Sequence, residues 1–157
     1  MKTLPNLSGV FSRVAGVVSG PDASKRQAAL SEIRGLKEKG ASVVLNLQRE
    51  EDNKFDPNAV AVWATLPSGP VQLGYVRNAD TYCSFCNANM EAYPQDGACK
   101  SCGRTDSLKR EGLATRMVES FEKNPDVRYL GEVTEVTGGE GKKANFGCNY
   151  VIRAKYE

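Results

Sequence analysis

The sequence predicts a mainly β protein with two helices, an α+β fold in which a small six-stranded β-barrel carries an inserted cysteine ribbon. Six short segments either alternate apolar and polar residues or form brief apolar runs between turn residues. Two longer segments repeat apolar residues at helical spacing, and four cysteines stand as two close pairs between the fourth strand and the second helix. A barrel is favoured over an open sheet because closure leaves no exposed sheet edge.

Composition restricts the classes of function. The chain has 157 residues, 40% of them hydrophobic, which suits one domain with one core. Its net charge of +2 does not by itself identify a nucleic-acid binder. The chain contains no histidine, so Ser-His and Cys-His catalysis and histidine metal sites are excluded.

Nothing in the sequence predicts a membrane or secreted protein. No apolar run approaches the roughly 18 residues of a membrane-spanning helix. The N-terminal segment Met1–Pro5 lacks the apolar core of a signal peptide. We therefore expect a cytoplasmic protein in a reducing compartment, with no membrane partner.

The N-terminal part is predicted to contain an arm, a strand and a helix. Residues 1–9 read as a loose arm, and residues 10–157 as the barrel domain. Val10–Val18 places apolar residues on both faces of a first strand. Ser24 and Gln27 have the spacing of a capping box, with Ser24 at the N-cap of the first helix. Apolar residues at helical spacing form its buried stripe: Leu30, Ile33 and Leu36.

Turn residues separate the remaining elements. Gly40 ends the first helix, because glycine accepts left-handed backbone angles. The other strands are predicted at residues 42–48, 59–66, 71–76, 127–136 and 148–156, and the second helix at residues 108–123. In the fourth strand, Gly74 allows the close approach of backbone or of a partner.

Residues 81–105 interrupt the barrel pattern and are predicted to form a zinc ribbon. Cys83 and Cys86, then Cys99 and Cys102, have the spacing Cys-x2-Cys-x12-Cys-x2-Cys. Two residues between thiolates let one turn aim both sulfurs at a single ion. Four thiolates favour tetrahedral Zn²⁺ in a closed, structural site.

Two other uses of these cysteines remain open. Disulfides require an oxidising compartment, which nothing in the sequence indicates. An iron centre of the rubredoxin kind also uses two such pairs, usually with a longer separation. The fifth cysteine, Cys148, is predicted to be a small buried residue of the last strand, with a reactive thiol or a fifth metal ligand as the alternative.

Two groups of basic residues are candidate phosphate contacts. They are Lys25 and Arg26 at the start of the first helix, and Lys100, Arg104, Lys109 and Arg110 around the exit of the ribbon. Each group either contacts a phosphate backbone or is ordinary solvated charge, and the sequence leaves both interpretations open.

The acidic turn before the third strand is the most particular stretch of the chain. Asp56-Pro57-Asn58 is strong turn chemistry, and Phe55 stands just before it. An aromatic ring beside a carboxylate, at the mouth of a strand, can line a binding site. The alternative is that Phe55 pins the loop to the core and that Asp56 only starts the turn.

Five segments, in their order and spacing, resemble the HIRAN domain, which occurs in some helicases and as stand-alone bacterial and phage proteins. The segments are Val14–Val17, Ser24–Gln27, Asn53–Val62, Leu73–Val76 and Val133–Gly139. The most specific is Asn-x-Phe-Asp-x-Asn-Ala-Val within the third of them. The resemblance covers residues 10–157 apart from the cysteine ribbon.

The resemblance implies a modified barrel of the OB/SH3-like class that binds nucleic acid, single-stranded DNA or DNA 3′ ends in particular. DNA repair or mobile-element biology is the implied setting. It also implies a pocket formed by Phe55, Asp56, Tyr75 and Arg77. A base stacked on an aromatic ring gains about 1–3 kcal/mol, and a carboxylate accepts a hydrogen bond from a terminal 3′-hydroxyl. Val18 and Ser19 replace the basic and aromatic residues of the family's eukaryotic reader.

Two other functions compete with nucleic-acid binding. Glu50, Glu51, Asp52 and Asp56 place four acids in one turn and could hold Mg²⁺ for phosphodiester hydrolysis, although such turns are more often solvated loops. The ribbon could instead be the contact surface of a protein-interaction adaptor. The chain has no P-loop motif, so it is not a helicase by itself. We expect a binding module rather than an enzyme.

Overall fold

The computed structural model describes residues 7–17, 22–140 and 143–156. In chain order its elements are β1 (Phe11–Ala15), α1 (Ala23–Glu38), β2 (Val44–Arg49), β3 (Val60–Leu66), β4 (Gly69–Val76), β5 (Thr81–Cys83), β6 (Asn89–Met90), β7 (Leu108–Arg110), α2 (Leu113–Lys123), β8 (Val127–Glu140) and β9 (Lys143–Tyr156).

Six antiparallel strands close into a barrel in the order β1-β4-β3-β2-β8-β9, and β9 pairs back onto β1. The other three strands form a separate small sheet in the order β6-β5-β7. The predicted fold class, mainly β with two helices and a six-stranded barrel, is confirmed.

Alternation along the strands fills the barrel. On β2, Leu45 and Leu47 are buried while the residues between and beside them are exposed. Their partners on β3, Ala64 and Val62, are buried as well, because residues opposite each other in a ladder share a face. The strand predicted at residues 42–48 is therefore present as β2, with its leucines inside the barrel.

Helix α1 begins two residues earlier than a capping box at Ser24 requires. Its N-cap is Asp22, and no side chain caps the first turn. The predicted capping box of Ser24 and Gln27 is therefore wrong. The Gln27 side chain instead reaches β9, where its Oε1 accepts the N–H of Phe146 at 2.6 Å and its Nε2 donates to the Phe146 carbonyl at 3.1 Å.

The C-terminal end of α1 is as predicted. Gly40 has a φ of +85°. Its N–H donates to the carbonyl of Lys37 at 3.0 Å, and the N–H of Ala41 donates to the carbonyl of Leu36 at 3.0 Å. This pair of bonds is a Schellman motif, which uses carbonyls that the last helical turn leaves unpaired.

Helix α2 is shorter than the predicted helix at residues 108–123. It starts at Leu113, because Leu108–Arg110 forms β7 and pairs with β5. The ribbon therefore extends to Arg110 rather than ending at residue 105. The predicted helical stripe persists in the shorter helix, where Leu113 and Met117 are fully buried.

Residues 7–9 pack on the barrel instead of belonging to a loose arm. Leu7 is buried, the N–H of Gly9 donates to the carbonyl of Ile152 at 2.6 Å, and the N–H of Ala154 donates to Ser8 Oγ at 3.2 Å. Residues 1–6 lie outside the described part of the chain, as do Val18 and Ser19. The described first strand ends at Ala15.

Gly74 marks the closest approach between β4 and β1. Its φ is +154°, and a Cβ built on it lies 2.1 Å from the carbonyl oxygen of Ala15. No other residue fits there without moving the main chain of β1. The predicted role of Gly74, close backbone approach, is confirmed.

Asn78 joins the barrel to α2, and its replacement is expected to weaken the fold. Its Oδ1 accepts the N–H of Ala114 at 3.0 Å and that of Thr115 at 3.4 Å. Asn78 thus caps the first turn of α2, whose own N-cap residue, Gly112, has no side chain to do so. Asn78→Ala is expected to lower the free energy of unfolding by about 1 kcal/mol in urea titration, as loss of a cap does.

Ser24→Ala is the matched control for this capping prediction. Ser24 occupies the predicted cap of α1 but lies inside that helix, so its loss is expected to leave stability unchanged or slightly raised. If Ser24→Ala lowered the free energy of unfolding as much as Asn78→Ala does, the assignment of Asn78 as a cap of α2 and that of Ser24 as an interior residue of α1 would both be contradicted.

Candidate functional site

The four paired cysteines converge on one point in the ribbon. Their Sγ atoms all lie within 4.8 Å of one another, with Cys83 and Cys102 3.7 Å apart and Cys86 and Cys99 3.6 Å apart. A tetrahedron of sulfurs with metal–sulfur bonds of about 2.3 Å has edges of about 3.8 Å. The donor set and its spacing therefore fit one metal ion in a closed, structural site, as predicted.

Two turns of the same construction present these sulfurs. In each, the N–H of the residue after the second cysteine donates to the carbonyl of the first cysteine at 2.8 Å. That residue is Asn87 in one turn and Gly103 in the other, and both have left-handed backbone angles, with φ of +67° and +81°. Glycine and asparagine are the residues that tolerate this conformation best.

Main-chain N–H groups of these turns also stabilise the sulfurs as thiolates. Burial raises the pKa of the Cys83 thiol, but the N–H groups of Cys86 and Phe85 and the hydroxyl of Ser107 outweigh it and lower that pKa to about 6. The N–H of Cys102 likewise lowers the pKa of Cys99, against the effect of burial. Cys83 and Cys99, the two buried cysteines, are thus stabilised as thiolates, the form that binds a cation.

The ribbon is tied to the barrel by a bridging carboxylate. Glu91, next to β6, forms an ion pair with Arg13 of β1 at 2.8 Å and a second ion pair with Arg77, just after β4. Arg77 is a predicted pocket residue, and the structure places its guanidinium against Glu91 rather than beside Phe55. The sequence did not predict this contact between residues so distant in the chain.

Arg116 ties the ribbon to α2. Its side chain is buried, its guanidinium stacks on the ring of Tyr82 at 3.6 Å from the centroid, and it donates to the Oδ1 atoms of Asn87 and Asn89 at 3.3 and 3.4 Å. The ribbon is therefore a docked part of the domain and not a freely hanging insertion.

The loop between β2 and β3 is held by its own side chains. Asn53 Oδ1 accepts the N–H of Phe55 at 2.9 Å and that of Asp56 at 2.8 Å, and Asp56 Oδ1 accepts the N–H of Asn58 at 2.9 Å. Asp56 thus starts the turn, as the alternative interpretation of this stretch predicted. Phe55, however, is 97% exposed, so the interpretation that it pins the loop to the core is wrong.

Tyr75 connects this loop to the barrel wall. Its hydroxyl donates to Glu50 Oε1 at 3.1 Å, and the same oxygen accepts the Asn53 side chain at 3.0 Å. The next residue, Val76, is buried in the barrel core with its partner Val14, so Tyr75 is on the outer face of the barrel, where it pairs with Ala15 of β1. Phe55, Asp56 and Tyr75 therefore belong to one hydrogen-bonded end of the barrel. Arg77 is not part of this network, because its guanidinium pairs with Glu91 of the ribbon.

The two basic residues that begin α1 differ in their surroundings. Lys25 is exposed. Arg26 is half-buried and donates to the carbonyls of Gly16 at 2.8 Å and Gln72 at 3.3 Å, so it docks the helix on β1 and β4. Its guanidinium has a structural role that the sequence did not reveal.

The ribbon presents its own basic surface. Lys109 is exposed on β7. Arg104 stacks over the ring of Phe85 at 4.2 Å and pairs with Asp106 at 3.3 Å. Phe85 is 65% exposed. It was not among the predicted site residues, although its place between two predicted metal ligands, Cys83 and Cys86, indicates an exposed turn.

The acidic turn does not assemble a second cluster. Within the described residues, the cysteines are the one group of three or more cysteine or acidic side chains whose ligand atoms converge. Glu50 instead accepts hydrogen bonds from Tyr75 and Asn53, and Asp56 accepts one from the loop. This arrangement uses two of the four predicted Mg²⁺ ligands to build the loop.

The remaining cysteine is part of the core. Cys148 is 1% exposed, and burial raises the pKa of its thiol to about 12. A thiol protonated at neutral pH is a poor nucleophile and a poor ligand. The prediction that Cys148 is a small buried residue is confirmed.

Neither helix in the described part of the chain is long and apolar enough to cross a bilayer. A comparison of the chain with protein-family models, with curated proteins and with solved structures gives no match.

Proposed function

We propose that this protein is a nucleic-acid-binding module that takes single-stranded DNA, DNA ends in particular, on the barrel end that carries Phe55. The ribbon is a structural zinc site in this proposal. The observation that carries it is the exposure of Phe55 on a loop that four side-chain hydrogen bonds hold in place.

An exposed phenylalanine on an ordered loop has no packing role that would account for it. Single exposed apolar side chains are common on protein surfaces, but this ring stands on a loop whose main chain is fixed by hydrogen bonds, which holds it in position for stacking. Tyr75 stands on the adjoining outer face of the barrel, joined to the loop through Glu50. Stacking on such rings does not read sequence, because every base has a π-face.

The resemblance to the HIRAN domain supports the same end of the barrel. It assigns Phe55, Asp56, Tyr75 and Arg77 to a pocket, and the first three lie at one hydrogen-bonded end of the fold, whereas Arg77 pairs with Glu91. The carboxylate of Asp56 disfavours a phosphate beside it, which suits a terminal 3′-hydroxyl. Lys25 on α1, and Arg104 and Lys109 on the ribbon, supply positive charge for the phosphate backbone.

Zinc is the metal we assign to Cys83, Cys86, Cys99 and Cys102. Soft thiolates in a tetrahedral set select zinc or iron, and zinc is the usual ion of closed structural sites. When bound, the ion supplies folding energy to a ribbon whose own buried cluster is small, consisting of Cys83, Met90 and Cys99.

The function is tested with Phe55→Ala. Fluorescence anisotropy is measured on zinc-loaded protein with a labelled single strand that ends in a free 3′-hydroxyl, and with the same strand 3′-phosphorylated. We expect tighter binding of the free end, and a loss of about 1–3 kcal/mol of binding free energy in Phe55→Ala, the value of one stacked base.

Val44→Ala is the matched control, because Val44 is an exposed apolar residue of β2 outside the predicted pocket. It is expected to bind like the parent protein. Equal binding of both strands, unaffected by Phe55→Ala, would refute the end-binding pocket.

The alternative function is a protein-interaction adaptor, and the exposure of Phe85 on the ribbon favours it. It is separated from the first proposal by Phe85→Ala. If nucleic acid does not bind and Phe85→Ala abolishes capture of a protein partner, the adaptor function is preferred.

A further inference from the structure

A cleft of about 340 Å³ lies where the ribbon meets the barrel. Its barrel side is formed by β1, by the segment after β4 and by the middles of β8 and β9, and its ribbon side by β6 and the residue after it. The residues used below are Phe11, Arg13, Arg77, Asn89 and Glu91. The volume is at the small end of ligand sites, which run from about 300 Å³ upward.

Two arginines in this cleft share one carboxylate. Arg13 is on β1, and Arg77 directly follows the adjacent strand β4. Both guanidinium groups bind Glu91, one to each oxygen. The side chains of Arg13 and Glu91 are 56% and 62% exposed. The Arg77 side chain is less exposed, at 29%. An ion pair as exposed as Arg13–Glu91 contributes little to stability, and an anion that displaces the Glu91 carboxylate takes its place between both guanidinium groups, so neither arginine loses its partner.

Asn89 lines the cleft and has an amide N–H group without an acceptor in the described part of the chain. Its Oδ1 accepts the guanidinium of Arg116, which can only donate, so the orientation of the amide is fixed. Its Nδ2 is then a buried N–H group without a hydrogen-bond partner among the described residues. Because this atom is buried, it is not counted among the groups that face a ligand in the cleft.

Phe11 supplies an apolar surface beside these donors. It is 69% exposed on β1, on the same outer face as Arg13. The combination of two guanidinium groups and an exposed ring matches one nucleotide unit, with its phosphate between the arginines and its base on the ring.

We propose that this cleft is a second nucleotide subsite for the bound single strand, and that Glu91 occupies the phosphate position until the strand arrives. The inference rests on the proposed function. The outer face of β1 and β4 connects the two places, since Ala15 pairs with Tyr75 and Arg13 lies two residues before Ala15 on the same face. A strand that stacks on Phe55 can therefore continue along β1 to Phe11.

The experiment compares Glu91→Gln with Glu32→Gln by anisotropy, using a labelled oligothymidylate long enough to reach both places. Each variant removes one negative charge. Glu32 accepts the hydroxyl of Ser68, in the hairpin at the opposite end of β3 and β4, and serves as the charge control. We expect Glu91→Gln to bind several-fold tighter than the parent protein, and Glu32→Gln to bind nearly like it.

Arg13→Ala and Phe11→Ala test the other side of the cleft. Both are expected to weaken binding several-fold. Arg13→Ala is also expected to reduce the slope of log affinity against log salt by about 0.7, the value of one phosphate contact with a single strand, whereas Phe11→Ala leaves the slope unchanged. Zinc content and melting temperature are measured for each variant to establish that the ribbon is folded.

The outcomes separate this inference from the proposed function. If Phe55→Ala weakens binding while Glu91→Gln matches Glu32→Gln and Phe11→Ala has no effect, the second subsite is refuted and the proposed function stands. If neither the parent protein nor Glu91→Gln binds the strand, both are refuted. If thymidine monophosphate binds Glu91→Gln as tightly as the strand does, the cleft is a mononucleotide site and the strand path is refuted.

Discussion

Cys99→Ser is expected to abolish stoichiometric zinc binding and to unfold the ribbon while the barrel remains closed. Cys99 is buried, and it receives N–H donors from Ser101 and Cys102 that are placed for a thiolate. A serine hydroxyl is not ionised at neutral pH and is a poor zinc ligand. We expect zinc affinity to fall by more than about 100-fold, the upper end of what losing an outer partner of a metal ligand costs.

The measurement is zinc per chain by atomic spectrometry, with limited proteolysis of residues 81–110 as the structural readout. Cys148→Ala is the matched control, because Cys148 is buried in the barrel core, outside the cluster. It is expected to retain one zinc per chain. A Cys99→Ser protein that keeps its zinc and resists proteolysis would contradict the four-thiolate site.

The partial independence of ribbon and barrel follows from their cores. The ribbon cluster of Cys83, Met90 and Cys99 is separate from the barrel cluster. If the four cysteines lose a bound ion, the interior of the ribbon is expected to come apart, but no side chain leaves the barrel core. The contacts that join the two parts, those of Glu91 and Arg116, are lost with the ribbon.

Gly74→Ala is expected to lower the free energy of unfolding by about 3 kcal/mol, which places it among the severe single substitutions. The new Cβ meets the carbonyl oxygen of Ala15 at 2.1 Å, and the φ of +154° is one that residues with side chains rarely adopt. The ladder between β1 and β4 must open to accommodate it. In a domain of this size the melting temperature falls by about 10 °C.

Gly35→Ala is the control for Gly74→Ala. Gly35 lies inside α1, and a Cβ added there meets no atom within 4 Å, so alanine fits without strain. Because glycine destabilises a helix interior relative to alanine by about 0.5–1 kcal/mol, this substitution is expected to raise the melting temperature. The same glycine-to-alanine change is thus expected to have opposite signs at the two positions, as measured by calorimetry.

Local patterns predicted the elements whose stability is local. Leu45 and Leu47 alternate with polar residues, and the strand lies where the alternation is. Gly40 ends α1 through a motif complete within six residues, 36–41. The cysteine spacing predicted the cluster of four sulfurs for the same reason, since each pair of sulfurs is placed by one short turn.

The sequence failed where a distant partner competes with a local pattern. Ser24 and Gln27 have capping-box spacing, but Gln27 is drawn to the main chain of β9, which lies 119 residues away in sequence. Leu108–Arg110 carries too few apolar residues to separate a strand from a helix, and pairing with β5 decides it. The Glu91 bridge unites residues 13, 77 and 91, so no window of sequence contains it.

The way the ribbon enters and leaves the domain bears on how such a protein can arise. Thr81 and Arg110 are direct partners in the ribbon sheet, and the N–H of Leu113 donates to the carbonyl of Ala79 at 3.1 Å. The inserted segment therefore departs and returns at a single point, and a short linker can replace it without moving β4 or α2. An ancestral chain could acquire or lose the whole segment in one genetic event. Arg13, Arg77 and Arg116, each of which contacts the ribbon, are then the positions where adaptation to the insertion is expected to be recorded.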